Sequence, residues 1–171
     1  MKKLLFLLML TAAAGQADTG KKIIPVADFD LNRYLGKWYE IARFDHVFEK
    51  GLTKVTAEYS LMKNDKISVF NKGYAESSKK WKSVKGKAVF AGDRNEGHLR
   101  VSFFGPFYSD YIIFALDQKN YQYALVGGSN KKYLWILSRT PVLDDDILKQ
   151  LLKTAEENGY DTDNLIFVKM N

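Results

Sequence analysis

The sequence contains no cysteine among its 171 residues, and it has only two histidines, His46 and His98. The absence of cysteine excludes disulfides, thiolate metal sites, cysteine nucleophiles and lipids attached through a cysteine thioether. Two histidines so far apart in sequence do not build a multi-histidine metal site alone. The common serine-hydrolase, zinc-protease, phosphate-loop and dinucleotide motifs are also missing. We therefore expect no metal, no cofactor and no enzymatic activity.

Proline is scarce as well, with 3 residues, whereas aromatic residues are plentiful at 11 Phe, 10 Tyr and 3 Trp. Hydrophobic residues make up 46% and charged residues 27%, which is typical of a soluble globular domain. A chain rich in aromatic and β-branched residues favours strands over a helical bundle. The length of 171 residues predicts a single domain.

A long hydrophobic run is also lacking, because the apolar segment 4–10 is too short to span a bilayer. Lys2 and Lys3 precede this segment, and small residues follow it with cleavage sites after Ala14 or Ala17. This order is typical of an export signal. We expect residues 1–17 to be a signal peptide and residues 18–171 to form the mature domain, which carries a formal net charge lower than the +6 of the whole chain.

Short runs of alternating polar and apolar residues follow, separated by turn residues. Eight strands are predicted, over 38–45, 53–62, 66–74, 82–91, 98–104, 110–117, 121–126 and 132–138. Eight consecutive antiparallel strands hide their edges most simply in a closed up-and-down barrel, with an open sandwich as the alternative. Apolar residues at helical spacing between Asp144 and Gly159 then predict one amphipathic C-terminal α-helix outside the barrel, and 165–169 predicts a short last strand. The fold class is all-β.

Three motifs occur in order along these strands. Gly36 and Trp38 open the first strand, Ser109-Asp110-Tyr111 opens the sixth, and Arg139 closes the eighth. This pattern resembles the lipocalin family over roughly residues 25–170. The resemblance implies that Gly36, Trp38, Asp110, Tyr111 and Arg139 are structural, with Arg139 covering Trp38 at the closed end through cation–π contact and hydrogen bonds.

Segments 35–45, 101–108 and 133–141 are similar to the bacterial outer-membrane, apolipoprotein D-like subgroup of lipocalins in particular. The resemblance implies lipid binding near the bacterial cell envelope. Members of that subgroup typically carry a lipid on a cysteine, and this sequence departs from them there. We expect an exported protein that is periplasmic or envelope-associated without a covalent lipid anchor, with secretion as the alternative.

The period of two along each strand, counted from Trp38, predicts which side chains face the barrel interior. The expected ligand-binding residues are Glu40, Ala42, Val55, Ala57, Tyr59, Val69, Asn71, Ala88, Phe90, Leu99, Val101, Phe103, Trp135 and Leu137. Small alanines among large aromatics leave room for one ligand, as an eight-stranded barrel allows. The alternative is a solid core.

Basic residues concentrate in loops that should lie at the open end. Lys79, Lys80, Trp81, Lys82, Lys131 and Lys132 form the predicted mouth collar, a site for anionic head groups. The alternative is a solvated face. Nucleic acid is not expected as a partner, because the chain carries an export signal and no nucleic-acid module.

These features support a non-enzymatic protein that binds, stores or transports a lipid such as a fatty acid or a lysophospholipid. Two alternatives stay open. One is a docking module that contacts a membrane or a protein through the apolar loop 104–108, and the other is an enzyme on the same fold. Membrane lipid and a second copy of the chain, as a weak homodimer, are the further partners considered.

Overall fold

The computed structural model describes residues 22–170. The predicted signal peptide, 1–17, lies outside the described residues. The described residues contain nine strands: β1 (Gly36–Phe44), β2 (Leu52–Leu61), β3 (Ile67–Ala75), β4 (Lys80–Phe90), β5 (His98–Ser102), β6 (Ser109–Leu116), β7 (Tyr123–Gly127), β8 (Leu134–Ser138) and β9 (Leu165–Phe167), all within 22–170. The same part of the chain forms two α-helices, α1 (Leu31–Tyr34) and α2 (Asp145–Glu157), and two short 3-10 turns at Lys63–Asp65 and Thr162–Asn164. No helix of this part of the chain is long and apolar enough to cross a membrane.

The eight predicted strands close into the predicted antiparallel barrel. Each strand from β2 to β7 pairs with its successor, β8 pairs with β1, and β1 pairs with β2. The last pairing closes the barrel, with Gly36 opposite Tyr59 and Tyr39 opposite Thr56. Closure leaves the sheet without the long open edges that invite aggregation. The up-and-down barrel is confirmed.

Helix α2 packs on the outside of the barrel, as predicted. Asp144 caps its N-terminus by accepting hydrogen bonds from the main-chain N–H groups of Asp146 and Ile147 at 2.9 and 3.2 Å. Leu151 and Ala155 are its buried residues. After the helix, Gly159 has a φ of 83°, which glycine adopts without steric cost. The predicted last strand is β9, which pairs with the end of β1.

No helix is predicted before the first strand, yet Leu31–Tyr34 form the short helix α1. Asp30 caps it by accepting a hydrogen bond from the Asn32 N–H at 2.9 Å. Arg33 donates to the main-chain oxygens of Gln118 and Lys119, at 3.0 and 2.6 Å, which ties the helix to the β6–β7 loop. Since the strands alternate in direction, the loops 45–51, 76–79, 103–108 and 128–133 lie at the opposite end, the mouth.

Two apolar clusters divide the core. The interior cluster fills the barrel and includes Tyr34, Trp38, Tyr59, Leu99 and Ile113. The outer cluster lies between the barrel wall and α2, and it includes Ile41, Leu125 and Ile136 together with Leu151 and Ala155 of the helix. The division follows the period of two, since alternate residues of one strand face opposite sides of the sheet.

Candidate functional site

The barrel wall brings most of the predicted ligand-binding residues to one interior surface. Ala57, Tyr59, Val69, Ala88, Phe90, Leu99, Val101, Phe103, Trp135 and Leu137 all belong to the interior cluster. Val55 packs close to Gly73 on the same wall. Gly86 faces Phe103 so closely that an added Cβ would lie 2.6 Å from the Phe103 ring. This glycine therefore leaves the space that the Phe103 ring occupies against the wall.

The closed end is sealed by Arg139 and Trp38. The Arg139 guanidinium carbon lies 3.9 Å from the centre of the Trp38 ring. Arg139 also donates hydrogen bonds to the main-chain oxygens of Arg33, Lys37 and Tyr121, at 2.7, 2.9 and 3.2 Å. The residues of the first and third motifs thus hold α1 and β1 to the end of β8, which is a structural role.

Three tyrosine hydroxyls meet inside the barrel, above Trp38. The Tyr111 hydroxyl lies 2.7 Å from the hydroxyls of both Tyr34 and Tyr59. Burial raises the pKa of all three phenols, so they stay protonated at neutral pH. Asn71 lies on the same wall, paired with Ala57 across the strands, and its Oδ1 is buried without a hydrogen-bond partner within residues 22–170.

Ala42 corrects the expected interior pattern. The pairing of β1 with β8 shifts register between Glu40 and Ala42, which is the mark of a β-bulge. Glu40 faces inward as predicted, but Ala42 packs in the outer cluster and Arg43, opposite Trp135, takes the inward position. One extra residue reverses the alternation for the rest of the strand.

Arg43 is the centre of a buried polar cluster near the mouth. It is 1% exposed, and Glu40 and Glu49 are 5% and 7% exposed. Arg43 Nη1 donates to Glu40 Oε1 at 2.7 Å, and Nη2 donates to the Glu49 main-chain oxygen at 2.7 Å. The Trp135 indole donates from Nε1 to Glu49 Oε2 at 3.2 Å. The cluster therefore ties the β1–β2 loop to the inside of the barrel.

The two carboxyl groups of this cluster share a single guanidinium. Burial and the charge of Glu49 raise the pKa of Glu40 to about 8, although Arg43 acts in the opposite direction. Burial also raises the pKa of Glu49. His46, whose ring lies 5.3 Å from that of Trp135, has its pKa lowered by burial and by Arg43. The single positive charge of Arg43 can neutralise only one of the two carboxylates, so ionisation of both Glu40 and Glu49 is unfavourable.

Comparison with known proteins decides the family. The family model described as a lipocalin-like domain matches residues 29–170. The chain belongs to the lipocalin family. Outer membrane lipoprotein Blc of Vibrio cholerae is 47% identical over 169 residues, covering 99% of both chains, and that of Escherichia coli K12 is 46% identical over 160 residues, covering 94% and 90%. Mouse apolipoprotein D is 35% identical over 169 residues, covering 92% and 87%.

A solved structure supports the same assignment of this lipocalin. Insecticyanin of the tobacco hornworm aligns with a TM-score of 0.71 at 26% identity, covering 87% of this chain and 85% of that one. The predicted family and the bacterial subgroup are thereby confirmed.

The predicted collar of this lipocalin assembles only in part. Lys80 and Lys82 lie at the mouth end of β4, on the face that carries Ala88 further along, and Lys79 precedes them in the loop. Trp81 also lies at the mouth end of β4, but its ring packs with Tyr74 on the outer face, 5.4 Å between centres. The reason is again the alternation along the strand, which turns Trp81 away from Lys80 and Lys82.

The other side of the collar also differs from the prediction. The Lys131 ammonium lies 4.4 Å from the centre of the Tyr160 ring, and Tyr160 belongs to the outer cluster. Lys131 is therefore directed toward the segment that follows α2 rather than into the barrel. Lys132, its neighbour in the β7–β8 loop, is exposed.

Two concave sites of this lipocalin are lined mostly by residues outside the predicted ligand-binding set, with Phe90 as the exception. One, of about 410 Å³, lies at the closed end and is lined by Phe29, Asp30, Leu31, Asn32, Leu61, Asp65, Phe90 and Arg94. The other, of about 250 Å³, lies on the outer face beside Ile41 and Phe167. No group of three or more metal-ligating side chains occurs within residues 22–170.

Sequence reasoning missed three interior residues of this lipocalin: Tyr34, Arg43 and Glu49. Tyr34 lies in the four-residue helix α1, which is too short to show a periodic pattern, and the bulge before Arg43 arises where β1 pairs with β8. Glu49 belongs to a loop, and its partner Trp135 lies 86 positions away. The only sequence feature that points to Arg43 is its charge within the predicted strand 38–45, directly after two consecutive apolar residues that interrupt the alternation of polar and apolar side chains.

Proposed function

We propose that this lipocalin is a non-enzymatic carrier that holds a lipid with a long acyl chain inside the barrel. The observation that carries the proposal is the interior wall, where small residues such as Ala57 and Ala88 alternate with aromatic rings inside a barrel sealed at one end. The acyl tail would lie along this wall toward Trp38. A fatty acid or a lysophospholipid has the required shape.

The place of action we propose is the bacterial cell envelope. The names of the relatives from Vibrio cholerae and Escherichia coli, outer membrane lipoproteins, support this proposal. The present sequence has no cysteine to accept a lipid through a thioether. We therefore propose an exported protein that works at the envelope without such an anchor.

Replacement of Ala57 by Trp tests the interior site. Ala57 is a partly buried interior residue opposite Trp38 on β1, so a new indole there would occupy the path of the acyl tail. We expect the affinity for dodecanoic acid, measured by calorimetry, to fall at least about tenfold, or about 1.4 kcal/mol. The matched control is Ser83→Trp, which places the same side chain on the exposed outer face of β4.

Undiminished binding by Ala57→Trp would contradict the proposed site. Circular dichroism and thermal unfolding of both variants verify that they fold. If Ser83→Trp weakens binding as much as Ala57→Trp does, the loss does not arise in the interior.

A second function, docking on an anionic lipid surface, is favoured by the mouth loops. Val47 and Phe48 of the β1–β2 loop and Phe104 and Phe107 of the β5–β6 loop are 66% to 95% exposed. Exposed apolar side chains gathered at one end of a molecule mark an interaction site. Lys50, Lys79 and Lys80 lie at the same end, and anionic head groups would attract them.

The test is cosedimentation with vesicles of phosphatidylglycerol and phosphatidylcholine in equal parts. The triple variant F48S/F104S/F107S should lose most of its binding, whereas Val142→Ser, an exposed apolar residue away from the mouth, should bind as the native protein does. Equal binding by the triple variant would refute the docking surface. Loss of a dimer in light scattering, without any vesicle binding, would assign the same loops to self-association.

A further inference from the structure

Two hydrogen-bond donors inside the barrel lie close to the same carboxylate oxygen. Trp135 Nε1 donates to Glu49 Oε2 at 3.2 Å, and Arg43 Nε lies 4.0 Å from that oxygen. Arg43 Nε is buried and makes no hydrogen bond within the described chain. The Glu49 carboxylate is therefore held by one full hydrogen bond, while the second donor beside it is unsatisfied. An unsatisfied buried donor next to a charged acceptor is an incomplete interaction.

The remaining contacts of Arg43 fix its guanidinium independently of the Glu49 side chain. Nη1 donates to Glu40 Oε1, and Nη2 donates to the main-chain oxygens of Glu49 and Leu52 at 2.7 and 3.4 Å. A rotation of the Glu49 side chain toward the mouth would therefore leave its own main-chain oxygen on Nη2. Departure of the carboxylate leaves Arg43 and Trp135 in place, with two N–H groups free.

The position of this pair fits the end of a bound lipid. Arg43 and Trp135 are register partners of β1 and β8, next to Glu40 and Leu137 on the same two strands. Apolar wall continues from them toward Trp38, whereas the exposed loop residues Val47 and Phe48 lie on the other side. An acyl tail in the interior would bring its polar end to this level of the barrel.

We infer that Arg43 and Trp135 form a head-group subsite for lipids with an acidic head, and that the Glu49 side chain occupies it until such a lipid arrives. The inference rests on the proposed lipid binding. A carboxylate or a phosphate supplies the oxygens that Arg43 Nε and Trp135 Nε1 can share, and charged acceptors form the stronger hydrogen bonds. The raised pKa values of Glu40 and Glu49 are consistent with a cluster that accommodates one anion well and two poorly.

Calorimetry with dodecanoic acid and dodecan-1-ol separates the head from the tail, because the two ligands share the same chain. In the native protein the acid should bind more tightly, and the preference should persist at about 0.5 M salt, since a buried contact is screened little. Glu49→Gln removes the competing charge but keeps the shape of the side chain. We expect a severalfold gain in affinity for the acid that exceeds any gain for the alcohol.

Removal of the guanidinium should abolish the preference for the acid. The double variant E40Q/R43Q is used, because loss of Arg43 alone leaves the Glu40 carboxylate buried without its partner. The acid should lose about tenfold in affinity or more, and the alcohol much less. Lys119→Gln, which removes one exposed positive charge at the closed end, is the matched control and should behave as the native protein.

The outcomes are separable. A preference for the acid that survives in E40Q/R43Q, or weaker acid binding by Glu49→Gln, would overturn the subsite. Equal binding of acid and alcohol by the native protein would overturn it as well, while the proposed lipid binding stands. If neither ligand binds to the native protein, both the subsite and the proposed lipid binding are refuted. If E40Q/R43Q does not fold, Glu49→Gln alone decides.

Discussion

Arg43 carries a positive charge into a wall that is otherwise apolar, and this has an energetic cost. Replacing a buried ion pair by well-packed apolar residues is often neutral or stabilising, so the pair between Arg43 and Glu40 is weak grounds for stability. A second carboxylate, Glu49, adds to the desolvation rather than relieving it. At the scale of the residue, this cost favours the proposed role of the cluster in ligand recognition over a role in stability.

The raised pKa of Glu40, about 8 against an ordinary 4.5, makes a prediction for stability against pH. The folded protein binds the Glu40 proton more tightly than the unfolded chain does, so the contribution of Glu40 to stability is complete below about pH 4.5 and is lost as pH rises toward 8. We expect stability to fall over this window by at most about 1.4 kcal/mol per pH unit. Glu40→Gln, which does not titrate, should show a flatter profile in urea unfolding at several pH values. A parallel decline in both proteins would contradict the assignment.

The sequence predicts the interior residues well as long as the period of two is unbroken. Ala57, Tyr59, Val101 and Trp135 lie where the alternation places them. The bulge between Glu40 and Ala42 depends on how β1 fits β8, a contact between segments almost 100 positions apart, and no local pattern contains it. Long-range contacts of this kind determine which side chains form the polar cluster. This is why Arg43, at its centre, was not predicted to face the interior.

Elements whose start, apolar face and end are all marked by nearby residues were predicted with their bounds. Helix α2 has a capping aspartate, an apolar face at helical spacing and a glycine after its end, and all three act within one short segment. Helix α1 has only four residues, too few to show a periodic pattern. It exists because the closed end of the barrel holds it, through Arg33 and through Arg139.

The N-cap of α2 provides a test at the scale of the element. Asp144 accepts both of the main-chain hydrogen bonds that cap the helix. Asp145, its exposed neighbour of equal charge, accepts neither of them. Asp144→Ala should lower the free energy of unfolding by about 1 kcal/mol, and Asp145→Ala by less than about 0.5 kcal/mol. Urea unfolding of both variants measures the difference. Equal effects would mean that helix-dipole charge, rather than capping, stabilises this end.

The two ends of the barrel differ, and the sequence predicts which loops lie at each end. It does not predict how wide the interior of the barrel is. The order of strands fixes which loops share an end, so the mouth loops were placed from the sequence. Arg139 and Trp38 close the opposite end. How far the interior opens depends on the packing of side chains such as Phe103 against Gly86 and on the Glu49 contact, neither of which is visible in one segment.

The lysines around the mouth should attract an anionic ligand through solvent, without direct contact. Arg43, inside the barrel, is instead proposed to contact the head group directly. Lys79, Lys80 and Lys82 are exposed at the mouth end of β4, where each contributes only about 0–1 kcal/mol to a contact with an anion. Together they should raise the affinity for dodecanoic acid severalfold at low salt. Exposed attraction is screened over about 8 Å at physiological salt, so this share should vanish at about 0.5 M salt.

The variant K79Q/K80Q/K82Q measures that share by calorimetry at low and high salt. Its control, K63Q/K66Q/K119Q, removes the same charge from exposed lysines at the closed end. We expect the mouth variant to bind dodecanoic acid about three- to tenfold more weakly than its control at low salt, and equally at high salt. Equal loss in both variants would assign the effect to net charge rather than to its position. A difference that persists at high salt would mean that a lysine touches the head group directly, and that Arg43 shares its role with the rim of the barrel.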